Sequence, residues 1–114
     1  MSHRFFITLP DPAAARGGDP ELSFHAHGAE AFARELQEAL ASPALFERWR
    51  AKQDAPDEVD MRLGEIDPAA TVEGTPSDLT IDLVVNTVLP GTILQQRLRW
   101  LAGSAWQLRD VRDA

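Results

Sequence analysis

The sequence predicts an α+β fold in which an antiparallel sheet carries helices on one of its faces. Segments in which apolar and polar residues alternate, as in β-strands, occur in both halves of the chain. Segments in which apolar residues recur every three or four positions, as in helices, lie between them. The chain has 114 residues, of which 44% are hydrophobic, so it can bury one modest core and has no room for a second. We therefore expect residues 1–114 to form a single domain.

Two strands are predicted near the start of the chain. Arg4 to Leu9 is rich in aromatic and β-branched residues and stops at Pro10, which is typical of a strand. A loop rich in proline and glycine follows. Glu21 to His27 then alternates apolar and polar residues, as a half-buried strand does. We expect these two segments to pair as a hairpin across the loop.

Helical spacing follows the second predicted strand. Apolar residues from Ala29 to Leu40 recur at intervals of three and four, so this segment is predicted to be a helix. Pro43 interrupts it. Because Ser42 is a good N-cap, a second short helix is expected from Pro43 to Lys52. The acidic stretch from Gln53 to Pro68 is predicted to be a solvated connector.

The clearest hairpin lies in the second half of the chain. Ala70 to Gly74 and Leu79 to Leu89 flank the sequence Thr75-Pro76-Ser77-Asp78, whose residues are typical of a β-turn. The odd-numbered residues of the second strand are almost all apolar, which predicts that this strand lies at the centre of the sheet. A helix from Thr92 to Ala102 and a strand from Ser104 to Arg112 complete the prediction.

The predicted order of elements is β-β-α-β-β-α-β. Without the short second strand, this order is similar to that of ferredoxin-like folds, in which an antiparallel sheet carries two helices on one face. The resemblance implies an architecture but not a function, because unrelated activities share such folds.

Composition and charge argue against several classes of protein. The chain has 18 acidic and 11 basic residues, and its formal net charge of −7 repels nucleic-acid phosphates. It has no cysteine, which excludes disulfides, thiolate metal sites and thiol nucleophiles. No apolar run approaches the roughly 20 residues that cross a bilayer, and Pro10 interrupts any signal-peptide core. We expect a soluble cytoplasmic protein without membrane contact.

Motifs of bond-making chemistry are absent from the sequence. It contains no nucleophile elbow, phosphate loop, dinucleotide fingerprint or metalloprotease motif, so no cofactor is predicted and an enzyme is disfavoured without being excluded. His25 and His27 have the spacing of a zinc or copper chelate. The predicted hairpin register places His3 on the opposite face, so we expect surface histidines rather than a metal site.

Two groups of residues are candidates for contact with a partner. Asp82 and Asn86 lie on the even-numbered face of the predicted central strand. Three interpretations of this face stay open: a plain solvated face, a surface for a partner protein or a dimer, or a ligand pocket. Trp49 and Trp100 lie beside arginines. Tryptophan usually belongs to the core, but an exposed one beside arginine is typical of an interaction hot spot. We place Arg97 and Arg99 on the outward face of the last helix. The candidate binding residues are Trp49, Arg97, Arg99, Trp100, Asp82 and Asn86.

The sequence thus predicts a small acidic protein that acts through protein–protein contact, as a regulator, adaptor or immunity-type inhibitor. Its partner is another protein or a second copy of the chain. The alternative is a dimeric ligand-binding protein or small enzyme with its pocket on the open sheet face or near His25 and His27.

Overall fold

The computed structural model describes residues 2–113, which form a four-stranded antiparallel sheet and three α-helices. The strands are β1 (His3–Leu9), β2 (Thr71–Ser77), β3 (Thr80–Thr87) and β4 (Gln107–Asp113). The helices are α1 (Ala29–Ala41), α2 (Ala44–Ala51) and α3 (Gly91–Ala102). Short 3-10 turns span Pro12–Ala14, Pro56–Glu58 and Met61–Gly64. The α+β class is confirmed, and the strands lie in the order β2-β3-β1-β4.

Strand β3 lies in the interior of the sheet, between β2 and β1, as its apolar pattern predicts. Ile81, Leu83 and Val85 are at most 5% exposed, whereas the even-numbered residues between them are half-buried. Strand β1 alternates in the same way, with Phe5 and Ile7 buried. One face of the sheet therefore carries the core, and the other face is left uncovered.

The strand predicted from Glu21 to His27 is not formed, and its hairpin with the first strand is wrong. Strand β1 pairs instead with β3 and β4. The even-numbered residues of the segment are buried, as the alternation predicts. Its backbone, however, bonds to helices: Phe24 N–H donates to the Leu101 carbonyl at 2.9 Å, and His25 N–H donates to the Glu35 carboxylate at 2.9 Å. An extended segment packed on helices thus shows the alternation of a strand without joining the sheet.

The β2–β3 hairpin forms with its turn two residues later than predicted. Ser77 and Thr80 are directly paired, so the turn consists of Asp78 and Leu79. Asp78 has a φ of 56°, which suits a tight two-residue turn. Pro76 is tolerated inside β2 because β2 is an edge strand. Leu79 consequently leaves the core face and is 88% exposed.

Both outer edges of the sheet are obstructed. Helix α1 lies so close to β2 that a Cβ atom on Gly74 would come within 2.3 Å of the Ala29 carbonyl oxygen. Val72 N–H, at the same edge, donates to the Gln37 side chain at 2.9 Å. At the other edge, β4 has a bulge where it passes β1, and four of its seven residues are charged. Bulges and charged side chains oppose the addition of another strand.

The connector predicted from Gln53 to Pro68 is tied to the sheet by Asp67, which is only 7% exposed. Its carboxylate accepts hydrogen bonds from the Thr87 hydroxyl at 2.8 Å, from Val88 N–H at 3.0 Å and from Ala69 N–H at 3.0 Å. Burial acts to raise the pKa of Asp67, but these hydrogen bonds outweigh it and hold the pKa below its ordinary value. Asp67 therefore anchors the end of β3 as a carboxylate.

Candidate functional site

The uncovered face of the sheet is the first candidate site, and we call it the open face. It consists of the side chains that point away from the helices in all four strands, since directly opposed residues share a face. They are Arg4, Phe6 and Thr8 on β1, Thr71, Glu73, Thr75 and Ser77 on β2, Thr80, Asp82, Val84 and Asn86 on β3, and Gln107, Arg109, Asp110 and Arg112 on β4.

Phe6 and Val84 form the apolar centre of the open face. They are directly opposed on neighbouring strands, and both are partly exposed. The guanidinium of Arg112 lies 5.4 Å from the centroid of the Phe6 ring, within the range of a cation–π interaction. A shallow groove of about 670 Å³ runs from Phe6 toward the β2–β3 turn, with Arg109 among its lining residues. This volume accommodates protein side chains or a small ligand.

The two candidates on β3 lie on the open face, as predicted, and each is held by a side chain of β1. The Thr8 hydroxyl donates to the Asp82 carboxylate at 2.8 Å. Arg4 Nε donates to the Asn86 side-chain oxygen at 3.0 Å. Because these contacts fix both side chains, the polar part of the open face is preorganised rather than freely mobile.

Charge on the open face is balanced, although the chain as a whole carries −7. The arginines belong to β1 and β4, whereas two of the three acids belong to β2 and β3. The face is therefore neutral overall and divided into a basic side and an acidic side. Its charged residues are Arg4, Arg109 and Arg112 against Glu73, Asp82 and Asp110.

The two predicted tryptophans form a stacked pair between α2 and α3. The ring centroids of Trp49 and Trp100 are 4.8 Å apart, and their planes differ by 24°. Both side chains are only partly exposed and pack against the hydrophobic core. Exposed Arg99 lies beside them, at a cavity of about 300 Å³ that all three residues line. The pair therefore fixes α2 against α3 and presents a limited surface to solvent.

The prediction that Arg97 faces outward is wrong. Its side chain is 0% exposed, and its guanidinium donates to the carbonyl oxygens of Ala39 at 3.3 Å, Leu63 at 2.8 Å and Glu65 at 2.9 Å. The guanidinium also lies 5.4 Å from the centroid of the Trp100 ring. Burial lowers the pKa of Arg97 to about 10, so the group stays charged at neutral pH. Arg97 therefore joins the connector to α1 and is not accessible to a partner.

His25 and His27 are exposed on the extended segment that precedes α1, beside a cavity of about 320 Å³. His3 belongs to β1, and its Nδ1 atom lies 3.6 Å from the Asp113 carboxylate. Within residues 2–113, no three or more His, Cys, Asp or Glu side chains are placed to hold a metal ion. The described part of the chain thus supplies no third ligand to the histidine pair.

Sequence reasoning missed Phe6 and Arg109 as residues of the open face. A signal for Phe6 was present, because Arg4, Phe6 and Thr8 alternate with the buried residues of β1. Alternation with Leu108 also directs Arg109 to the open face, but it does not predict that Asp110 shares this face, because the bulge in β4 shifts the register there.

Comparison of the chain with protein-family models, with curated proteins and with solved structures found no match. Among the helices of residues 2–113, none is long and apolar enough to cross a bilayer. The function is therefore inferred from the geometry of the open face.

Proposed function

We propose that this chain acts through protein–protein contact, as a regulator, adaptor or immunity-type inhibitor, and that the open face is the contacting surface. The observation that carries this proposal is a full sheet face without a helical cover, centred on the partly exposed pair Phe6 and Val84. Interfaces between proteins that also exist apart are no more apolar than ordinary surface, and they are enriched in aromatic residues and arginine. The open face matches this description in its polar character and its three arginines, and it places one aromatic residue, Phe6, at its centre.

The open face is a better contact surface than the tryptophan cluster. Trp49 and Trp100 contact each other and the core, so much of their area is already buried within the chain. Arg97 is fully buried and cannot contact a partner, although Arg48 and Arg99 near the pair are exposed. Interaction hot spots need side chains that a partner can bury, and the open face offers more of them.

We also propose that the fold is ferredoxin-like. The order β1-α1-α2-β2-β3-α3-β4 supports this, with α2 as an addition to the first helix, and so does the sheet order β2-β3-β1-β4. In such an arrangement the helices cover one side of the sheet, and the bare side is a natural place for contact.

A test of the contact surface uses photo-crosslinking side chains placed singly at Thr75, on the open face, and at Glu58, on the connector. In extracts of the source cells, Thr75 is expected to give one discrete cross-linked species, which excess wild-type protein competes away. Glu58 is expected to give none. The captured protein is then purified, and its affinity for the wild type and for Val84→Glu is measured by calorimetry. A Thr75 probe that captures nothing, or binding that Val84→Glu leaves unchanged, would contradict the proposal.

The second candidate function is ligand binding or catalysis in the groove of about 670 Å³ on the open face. Asp82 and Arg109 among its lining residues favour a polar ligand. A thermal-shift screen of metabolites and metals tests it, because a ligand at 100 times its Kd adds about 2.7 kcal/mol of stability. A shift that disappears in Asp82→Ala and persists in the exposed control Asp54→Ala would favour this alternative. A panel without shifts would reject it.

A further inference from the structure

We propose that the open face binds the open face of a second copy of this chain. This inference rests on the proposed function and names the partner. The first argument is electrostatic: a chain with a net charge of −7 repels its own copies, yet its open face carries as many arginines as acids. Two copies that approach through this face bring neutral surfaces together and keep the excess negative charge on their outer sides.

The second argument is self-complementarity. A two-fold axis parallel to the strands, between β1 and β3, would place the β2 side of one copy over the β4 side of the other. Phe6 then lies over Val84 of the second copy, because the two residues stand at the same level on either side of the axis. Thr8 likewise lies over Asp82 of the second copy and Arg4 over Asn86, whereas Glu73, at the level of Val84, meets Asp110, at the level of Phe6. Stacked sheets with aligned strands are a common packing mode, about 10 Å apart.

The size of the face sets the strength of the contact. The open face presents roughly 15 side chains, whereas a standard interface uses about 20–30 residues from each partner. The dimer is therefore expected to be weak, with a micromolar or higher Kd, and in exchange with the monomer. Pairing of β4 edges is the competing geometry, which the bulge and the charges of β4 oppose.

Sedimentation velocity from low micromolar to several hundred micromolar protein tests the inference. Wild type is expected to shift toward the dimer as concentration rises. Val84→Glu buries two like charges at the centre of the contact and should remain monomeric. Met61→Glu is the matched control, because Met61 is 55% exposed on the connector and lies away from the open face. It should associate as wild type does.

Charge reversal tests the orientation of the two copies and uses only exposed residues. Glu73→Arg places a cation over Asp110 of the second copy and should tighten the dimer about threefold or more, and the further change Asp110→Arg should cancel that gain. Glu58→Arg makes the same charge change outside the open face and should tighten the dimer much less. Because these side chains are exposed, the charge reversal stays informative even if Val84→Glu unfolds.

Three results would overturn the inference: a wild type that stays monomeric at several hundred micromolar, association that Val84→Glu leaves intact, or a Glu73→Arg variant that associates less tightly than wild type. Failure here is distinct from failure of the proposed function. A monomeric chain whose Thr75 probe captures a different protein, bound less tightly by Val84→Glu, would reject the second copy and keep the open face as a contact surface.

Discussion

Arg97 shows how this small fold accommodates a buried charge. Its guanidinium is satisfied by backbone carbonyl oxygens from α1 and the connector, the latter supplied by Leu63 and Glu65. Carbonyl dipoles that converge on a cation offset part of the cost of removing it from water. The connector contributes few buried apolar residues of its own, so these bonds are a main reason why it lies against the helices.

Replacement of Arg97 by methionine should therefore be strongly destabilising. The substitution keeps most of the apolar stem but leaves the carbonyl oxygens of Ala39, Leu63 and Glu65 without their donor. We expect a loss of at least about 3 kcal/mol in the free energy of unfolding, measured by urea denaturation. Arg99→Met, two residues away on the exposed surface, should cost less than about 0.5 kcal/mol. Equal effects of the two substitutions would contradict the anchoring role.

Asp67 gives the fold a predictable dependence on acid. The pKa of Asp67 is lower in the folded chain than in the unfolded chain. As the pH falls below about 4, the unfolded chain therefore binds a proton at Asp67 before the folded chain does. The contribution of Asp67 to the free energy of unfolding is lost over that pH range. Asp67→Asn should lower stability by about 1–3 kcal/mol at neutral pH, because one donor loses its acceptor. The difference from wild type should shrink as unfolding is measured at lower pH. Asp54→Asn, at an exposed position, should leave the profile unchanged, and a constant Asp67→Asn difference would reject the account.

Gly74 is a position where β2 and α1 approach each other closely. A Cβ atom there would meet the Ala29 carbonyl oxygen at 2.3 Å and the Ala33 Cβ at 3.3 Å, so α1 would have to move away from β2. Gly74→Ala is expected to destabilise the protein by about 1–3 kcal/mol in thermal or urea unfolding. Gly18→Ala is the matched control, since nothing lies within 4 Å of the added atom. A neutral Gly74→Ala would show that α1 does not seal this edge.

Elements with an uninterrupted period could be predicted from the sequence. Helix α1 and strand β3 are examples, because each buries one face along its whole length and the burial repeats with the element's own period. Glu21 to His27 shows the limit of this argument. Alternation reports which side chains are buried, but not where the backbone finds its partners, and here the end of α3 and Glu35 supply them.

The candidate site could be predicted only in part. Asp82 and Asn86 were placed on the correct face by the period of β3. The charge of Arg97 predicts an exposed side chain, but its position decides its burial, because it lies four residues from both Ile93 and Leu101 on the apolar stripe of α3. Asp67 lies in an irregular connector, where no period exists to indicate burial.

The whole molecule is asymmetric about its sheet. The helices and the extended segment before α1 cover one face of the sheet. Helix α1 lies close to the β2 edge, and the bulge and charges of β4 protect the other edge. The open face, which is neutral, is left uncovered. The excess negative charge therefore lies outside the open face and mostly in the connector, where residues 53–68 carry six acids and one arginine. Contact through the open face is therefore favoured over contact through a sheet edge, because the open face is neutral and both edges are protected against pairing with another strand.

Methyl, indole and backbone NMR spectra recorded across a concentration series test contact between the open faces of two copies most directly. The account predicts that the methyl signals of Val84 and the backbone signals of Thr8 and Asp82 shift progressively as concentration rises. The methyl signals of buried Val85 and the indole signals of Trp49 should stay constant. Shifts confined to the indole signals or to β4, or spectra that do not change with concentration, would contradict it.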